Sequence, residues 1–328
     1  MTKGLNSLAA LTTAVLAVAI CTNARGQNYP TRSIEVVVPT SPGSGTDIYA
    51  RALADIVRRE KLLPRQLLVQ NRTGGSSLIA INYFQTKRGD PYTMIAATGT
   101  VAIMAAREDV KIGLENYTPL ALLAVDPQAV MVSADSPYKT LRDLAEAARK
   151  TPDTIVGAIT NPLGSGRQFI HYLEKLAPGA KFKFVTFKGG GEAVLSVAGG
   201  HTHFTTENLS EGLAMLESKK LRALAITSLT RLPQMPDLPT AAEAGYKIDA
   251  GTLRGFSFPA GVSKDIAAQM EKVLERAHKT PAWQDQVKRY YYEDRYLGSA
   301  EYAKLLVQRV EEYRAFFRDI GAYTKPAT

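Results

Sequence analysis

The chain alternates between short β-branched runs and stretches whose apolar residues recur at helical spacing. Ile34-Glu35-Val36-Val37-Val38 reads as a buried strand. After it, Ile48, Ala52 and Ile56, with Leu53 and Val57, fall on one helix face. Further strands are read at Leu67-Leu68-Val69, Tyr92 to Ala97, Thr118 to Val125 and Ala129 to Val132. Ile155 to Ile159, Phe182 to Phe187 and Leu221 to Ile226 complete the series. Helical patterns lie between them: a stretch ending at Thr86, the face Leu141, Leu144, Ala145, Ala148 behind a Thr140 cap, the face Phe169, Leu173, Leu176, and Glu192 to Ala198. The last part is mainly helical. Ser263 starts one helix, with Ile266, Met270, Val273, Leu274 and Ala277 on its face. Thr280-Pro281 opens a second, since proline suits the first helical position. Tyr302, Leu305, Leu306, Tyr313, Phe316, Phe317 and Ile320 make an apolar stripe on a third, read as core, with Gly321 as its stop.

Strands alternating with helices predict an α/β fold with largely parallel sheets, arranged as two doubly wound units with a cleft between them. Ligands in such folds sit beyond the carboxyl ends of strands. Four small-residue loops lie at such ends. The first, Pro39-Thr40-Ser41-Pro42-Gly43-Ser44-Gly45-Thr46-Asp47, leads into a helix that Ser44, Thr46 or Asp47 can cap. The others are Thr98-Gly99-Thr100, Thr160 to Arg167, and Lys188-Gly189-Gly190-Gly191. Backbone N–H groups and the positive dipole end of a helix suit an anion there. The first loop lacks the Gly-Lys-Ser/Thr of a Walker loop, and Gly43 and Gly45 have no glycine partner at position 48. That points away from nucleotide phosphate and toward carboxylates.

The N-terminus changes the picture next. Lys3, the apolar run Leu8 to Ile20, and small or polar residues after it have the order of a cleaved secretory signal over residues 1–26. Cys21, the single cysteine of 328 residues, lies inside it, so a mature chain would form no disulfide. Ile20 stands where a lipid-anchoring site needs a small residue. The formal charge is +9, of which the leader would remove only Lys3 and Arg25. The basic residues are scattered, without a tract interleaved with aromatics, so nucleic-acid binding is not expected.

Several side chains carry candidate chemistry. Arg167 fits a ligand carboxylate in bidentate fashion, or a solvated helix start. Lys188 is a second cation near a glycine loop. Thr98 and Thr100 offer hydroxyls, and Asn208 ends a strand near the expected cleft. Asp47 repels an anion, so a capping role fits it better. His201-x-His203 has strand spacing, with both rings on one exposed face and no further metal ligands. No GxSxG, HExxH or CxxC motif is present, which disfavours a hydrolase. No cofactor and no metal are expected.

Tyr29-Pro-Thr-Arg-Ser-Ile34 followed by Val38 to Asp47 resembles the opening of the substrate-binding proteins of tripartite tricarboxylate transporters, the Bug family. Asn71-Arg72-Thr-Gly74-Gly75, Phe187 to Gly191, Leu221 to Thr227, Arg231-Leu232-Pro233 and Pro236 to Gly245 extend the resemblance in order. It implies a periplasmic, monomeric, two-domain binding protein of the Venus-flytrap type. Such a protein captures a small carboxylate and delivers it to a membrane permease driven by an ion gradient. The implied domains are 27–128 with 253–328, and 129–252. The implied ligand-binding residues are Thr40, Ser41, Gly43, Ser44, Gly45, Thr46 and Asp47 in the first loop, and Lys188, Gly189, Gly190 and Gly191 in the second. Gly164, Ser165, Gly166 and Arg167 stand where the family often has Gly-x-Gly-Ser followed by a histidine, whose place Gln168 takes. Thr40 replaces a frequent aromatic, and Leu253-Arg254-Gly255 replaces a frequent tryptophan. A sensor that presents ligand to a signalling partner is the alternative with the same cleft.

Overall fold

The computed structural model describes residues 29–96 and 98–323. The leader expected over 1–26, and Ala97 at the end of an expected strand, lie outside them. Among the described residues there are eleven strands in two sheets and ten α-helices. In chain order these are β1 (Ile34–Val38), α1 (Gly45–Arg59), β2 (Leu67–Asn71), α2 (Leu78–Gln85), β3 (Thr93–Ile95), α3 (Thr98–Ala106), β4 (Tyr117–Asp126) and β5 (Gln128–Ser133). Then come α4 (Leu141–Lys150), β6 (Ile155–Ile159), α5 (Ser165–Leu176), β7 (Phe182–Thr186), α6 (Gly190–Ala198), β8 (Phe204–Asn208), α7 (Leu209–Glu217) and β9 (Leu221–Ile226). The chain ends with β10 (Thr252–Pro259), α8 (Lys264–His278), α9 (Pro281–Tyr290), β11 (Glu293–Gly298) and α10 (Ser299–Asp319).

The first sheet has the order β11-β4-β10-β3-β1-β2 and the second β7-β6-β8-β5-β9. Both are mixed, which corrects the expectation of largely parallel sheets. β1 runs parallel to β2 and β3, and β6 parallel to β7 and β8. β4 and β5, by contrast, pair antiparallel with their neighbours. The reason is topological. The chain leaves the first sheet along β4, enters the second at β5 across Pro127, and comes back along β10. Outgoing and returning strands lie side by side in opposite directions, with Thr252 facing Asp126.

Each sheet buries its own apolar core. Ile34, Val36, Val38, Leu53, Val57, Phe256, Phe258 and Trp283 pack together on one face of the first sheet. Val130, Leu144, Phe169, Leu173, Phe182 and Phe204 do so on the second. The stripe on α10 is buried as expected: Tyr313, Phe316 and Phe317 pack on Ala102, Ala105 and Ala106 of α3. Local signals also hold. Thr140 and Asp143 form a reciprocal capping box, and Thr280 caps α9 ahead of Pro281. His201 and His203 are a correction: they lie in a bend before β8, not in a strand, and His203 Nδ1 accepts the Val156 N–H at 3.0 Å.

Gly157 in β6 shows how tightly the second core closes. A Cβ there would stand 2.5 Å from the ring of Phe204, which is fully buried. Gly157→Ala is expected to cost about 1–3 kcal/mol through overpacking. Urea denaturation checks this, and a cost near zero would show that the ring can yield.

Candidate functional site

The four small-residue loops meet between the two sheets. An inner cavity of about 220 Å³ is lined by Thr40, Ser44, Gly45, Thr46 and Thr100 from the side of the first sheet. From the second come Thr160, Gly164, Ser165, Gly166, Arg167, Glu207, Asn208 and Glu211. An outer space of about 680 Å³ adjoins it and carries Ser41, Gly43, Lys188, Gly189, Gly190 and Gly191. Thr40, Ser44, Gly45, Thr160 and Glu211 line both.

Sequence explains why helix ends converge here. Ser44 caps α1, accepting from the Asp47 N–H, and its hydroxyl lies 2.6 Å from that of Thr40. Gly164 and Gly189 cap α5 and α6 with extended backbone and leave their first-turn N–H groups without a side-chain cap. Thr98 and Thr100 lie in the first turn of α3, not in a loop. The sequence hides that helix because α3 is apolar all round and carries no amphipathic pattern. α5 and α6 thus present first-turn N–H groups that no side chain caps, and α1 and α3 add their helix starts to the same space.

Asp47 is brought to the loop but away from the cavity. Its Oδ2 accepts the Gly43 N–H at 2.9 Å, and Arg51 Nε and Asn71 Nδ2 bond it at 3.0 and 2.9 Å. Burial pushes its pKa up, but Arg51, the Gly43 N–H and Asn71 outweigh that and hold it below the usual value. Asp47 therefore closes the first loop from inside the first turn of α1, while the cap itself is Ser44. Arg167 lies over Phe184 and pairs with Glu174 at 3.3 Å. Burial draws its pKa down against the pull of Glu174. Lys188 is exposed at the outer rim, with its N–H on Glu192 at 3.2 Å.

Three glycines have steric duties against protein rather than open approaches to a ligand. A Cβ at Gly45 would lie 2.6 Å from Arg254 Nη2, at Gly166 2.1 Å from the Thr206 carbonyl oxygen, and at Gly190 1.6 Å from Glu211 Oε2. Gly43, Gly189 and Gly191 face open space.

Sequence reasoning missed the charged floor. Arg254, on β10, is buried and bonds Asp126 at 2.5 Å and Thr46 Oγ1 at 3.0 Å. Ser210 donates to the same Asp126 oxygen at 3.1 Å. Beside them Glu207 accepts from the Thr160 N–H at 2.8 Å and its hydroxyl at 3.1 Å. Burial, then repulsion from Glu211, pushes Glu207 up to about 8. Burial, then Asp126, pushes Glu211 up to about 7, although Arg254 opposes it. The available signal was an arginine inside the apolar run Leu253 to Phe258. A polar set, Gln128, Asn208, Thr252 and Ser165, joins the two crossovers through Gln128 Nε2 to Thr252 Oγ1 at 3.1 Å and Thr252 to Ser165 at 3.3 Å.

Two outcomes follow for the unliganded protein. Gly190→Ala is expected to lose about 1–3 kcal/mol because Glu211 must move, whereas Gly191→Ala is neutral or gains up to about 1 kcal/mol. Paired denaturation curves check the contrast, and equal effects would refute it. The acid pair also gives stability a pH slope. Both folded pKa values lie above the ordinary glutamate value of 4.5, so the fold holds extra protons. Stability from the pair is complete below about pH 4.5 and is lost as pH rises through the folded values. Glu211→Gln should therefore gain on the wild type as pH increases from about 5 to about 8, and parallel urea profiles would contradict it.

Comparison with known proteins now bears on this cleft. The profile of the tripartite tricarboxylate transporter family receptors (TctC) matches residues 49–322, beginning inside α1. The chain is 29% identical to Protein BugT of Bordetella pertussis over 260 residues, which are 77% of this chain and 78% of that one. A TctC solute binding protein from Polaromonas, solved without ligand, is 27% identical with a TM-score of 0.73, covering 89% of this chain and 99% of its own. MatC from Rhodopseudomonas palustris, solved with bound malate, shares the fold at 23% identity and a TM-score of 0.75, covering 88% and 99%. This two-domain α/β chain belongs to the tripartite tricarboxylate transporter receptor family of solute-binding proteins.

Proposed function

We propose that this protein captures a small organic carboxylate in the cleft between its sheets and delivers it to the permease of a tripartite tricarboxylate transporter. One observation carries the reading: helix N-termini α1, α3, α5 and α6 open on one cleft that the chain crosses twice. Uncapped N–H groups and the dipole ends of helices stabilise a carboxylate, and a site shielded from water strengthens each contact. The domains of this reading are 27–128 with 253–328, and 129–252. On this reading the mature chain works in the periplasm after loss of the leader. On the same reading the receptor works as a monomer and carries its ligand unchanged, with no cofactor and no covalent step.

The inner cavity, at about 220 Å³, suits an acid of a few carbons. Isothermal titration of the mature protein against succinate, malate, adipate and related acids tests the reading. At least one is expected to bind at about micromolar Kd, near −8 kcal/mol. Thr100→Trp fills the inner cavity and is expected to weaken that acid at least about a hundredfold, or ~2.7 kcal/mol, with the melting temperature retained. Unaltered affinity in the variant would remove the inner cavity from the site.

A further inference from the structure

The cleft assigned to a carboxylate already holds carboxyls of its own, and an inference follows that rests on that assignment. Glu207 stands near the end of β8, and Glu211 is four residues further, within the first turn of α7. Both line the inner cavity, and Glu211 also lines the outer space. Glu207 uses both oxygens on Thr160. The charge of Glu211 holds the Glu207 pKa up, and the carboxyl of Glu211 fills the room that a Cβ at Gly190 would need.

Arg254 favours the ionised form of Glu211 but is itself committed to Asp126. Each guanidinium lining the inner cavity has a carboxylate partner: Arg254 with Asp126, Arg167 with Glu174, Arg309 with Asp249. Lys188, ahead of α6, is exposed at the outer rim, where salt screens its ammonium, and its backbone N–H donates to Glu192 on α6. On β9, Arg222 is spent on the carbonyls of Ala134, Ser136 and Tyr138. Tyr292, beside the outer space, is buried and its phenol is pushed up, chiefly by that burial. His203 sits at the opposite end of β8 and accepts the Val156 N–H. A second feature marks the cavity as a ligand site: Arg254, with its side chain 4% exposed, lines it while its Nε has no hydrogen-bond partner. An anion entering this space meets helix dipoles on several sides and the glutamate pair on another. Repulsion between unit charges a few ångströms apart at a protein surface is worth about a thousandfold in affinity.

We propose that Glu207 and Glu211 select the charge of the ligand, admitting an anion only with the pair protonated, so that capture is coupled to uptake of a proton. The proton comes from solvent or buffer and forms an O–H bond on a glutamate carboxylate. It returns to solvent when the ligand leaves. The acid O–H then donates to a ligand oxygen, so the pair turns from a repelling wall into a hydrogen-bond donor. Burial, with Glu211 acting on Glu207 and Asp126 on Glu211, already holds both groups above the ordinary range in the empty cleft, which makes the proton inexpensive near neutrality.

Titration of the mature protein with succinate, malate and adipate in Hepes and in Tris, from about pH 6 to about pH 9, reads the coupling. The two buffers have different ionisation enthalpies, so their difference in heat counts protons. For the acid that binds, affinity should be level at low pH and fall by about tenfold per pH unit once the free pair ionises, with about one proton taken up. Glu211→Gln should bind without proton uptake and with a flattened pH profile, and Glu207→Gln provides the same readout should the first variant not fold. A wild-type affinity that ignores pH and takes up no proton overturns the proposal while leaving carboxylate capture intact. Affinity that rises with pH also overturns it, since ionising the pair would then fail to repel an anion. If none of the acids binds a folded wild type at any pH, carboxylate capture fails and this inference with it.

Discussion

The ion pair between Arg254 and Asp126 is the constraint on which the arrangement of the cleft depends. Asp126 ends the strand that leaves the first sheet, and Arg254 lies near the start of the strand that returns to it. Both are buried, with side chains 4% and 0% exposed. Burial alone would draw the arginine pKa down, but Asp126 above all holds the charge in place. Removing two charges from water is costly, and such a pair gives little net stability compared with apolar residues of the same size. Its effect is on geometry. The same guanidinium bonds Thr46 in the first turn of α1, and the same carboxylate accepts from Ser210 in the first turn of α7. One buried pair thereby fixes a helix start from each sheet relative to both crossovers.

The glycines follow from that pair and its neighbours. Arg254 leaves no room for a Cβ at Gly45, and Glu211 leaves none at Gly190. Gly166 lies against the Thr206 carbonyl, whose hydroxyl in turn bonds the Gly166 carbonyl at 3.1 Å. These residues let helix starts approach the charged floor, so the loops that look like ligand cradles are first of all packing devices. The cradle is what remains: Gly43, Gly189 and Gly191 at the open side, and the N–H groups that no side chain caps.

Much of this architecture was legible in the sequence where pattern and local chemistry agree. β1, β6, β7 and β9 are short β-branched or apolar runs, and α1, α4, α8 and α9 carry caps and one apolar face. The loops between them pointed to the cleft. What escaped is what tertiary contact decides. β10 mixes Arg254, Gly255 and Ser257 into a strand buried on both faces, and its bulges break any period. β11 is a half-buried, mostly polar strand at a sheet edge, without alternation. Glu211 has no local signature. Its meaning comes from Glu207 at the end of a different element and from Asp126, 85 positions earlier in the chain.

Away from the crossovers, the two halves touch through α5 and α10. Asp319 accepts from Lys175 at 2.7 Å and pairs with His171 at 2.9 Å, and Tyr172 donates to the Glu312 carbonyl at 3.4 Å. The Lys175 and Asp319 side chains are 57% and 35% exposed. Exposed pairs of this kind are each worth about 0–1 kcal/mol and weaken with salt. Continuous strand pairing between β4 and β10 and a buried pair hold the crossovers, while half-exposed pairs join α5 to α10 and the buried Arg309 of α10 reaches Asp249 ahead of the returning strand.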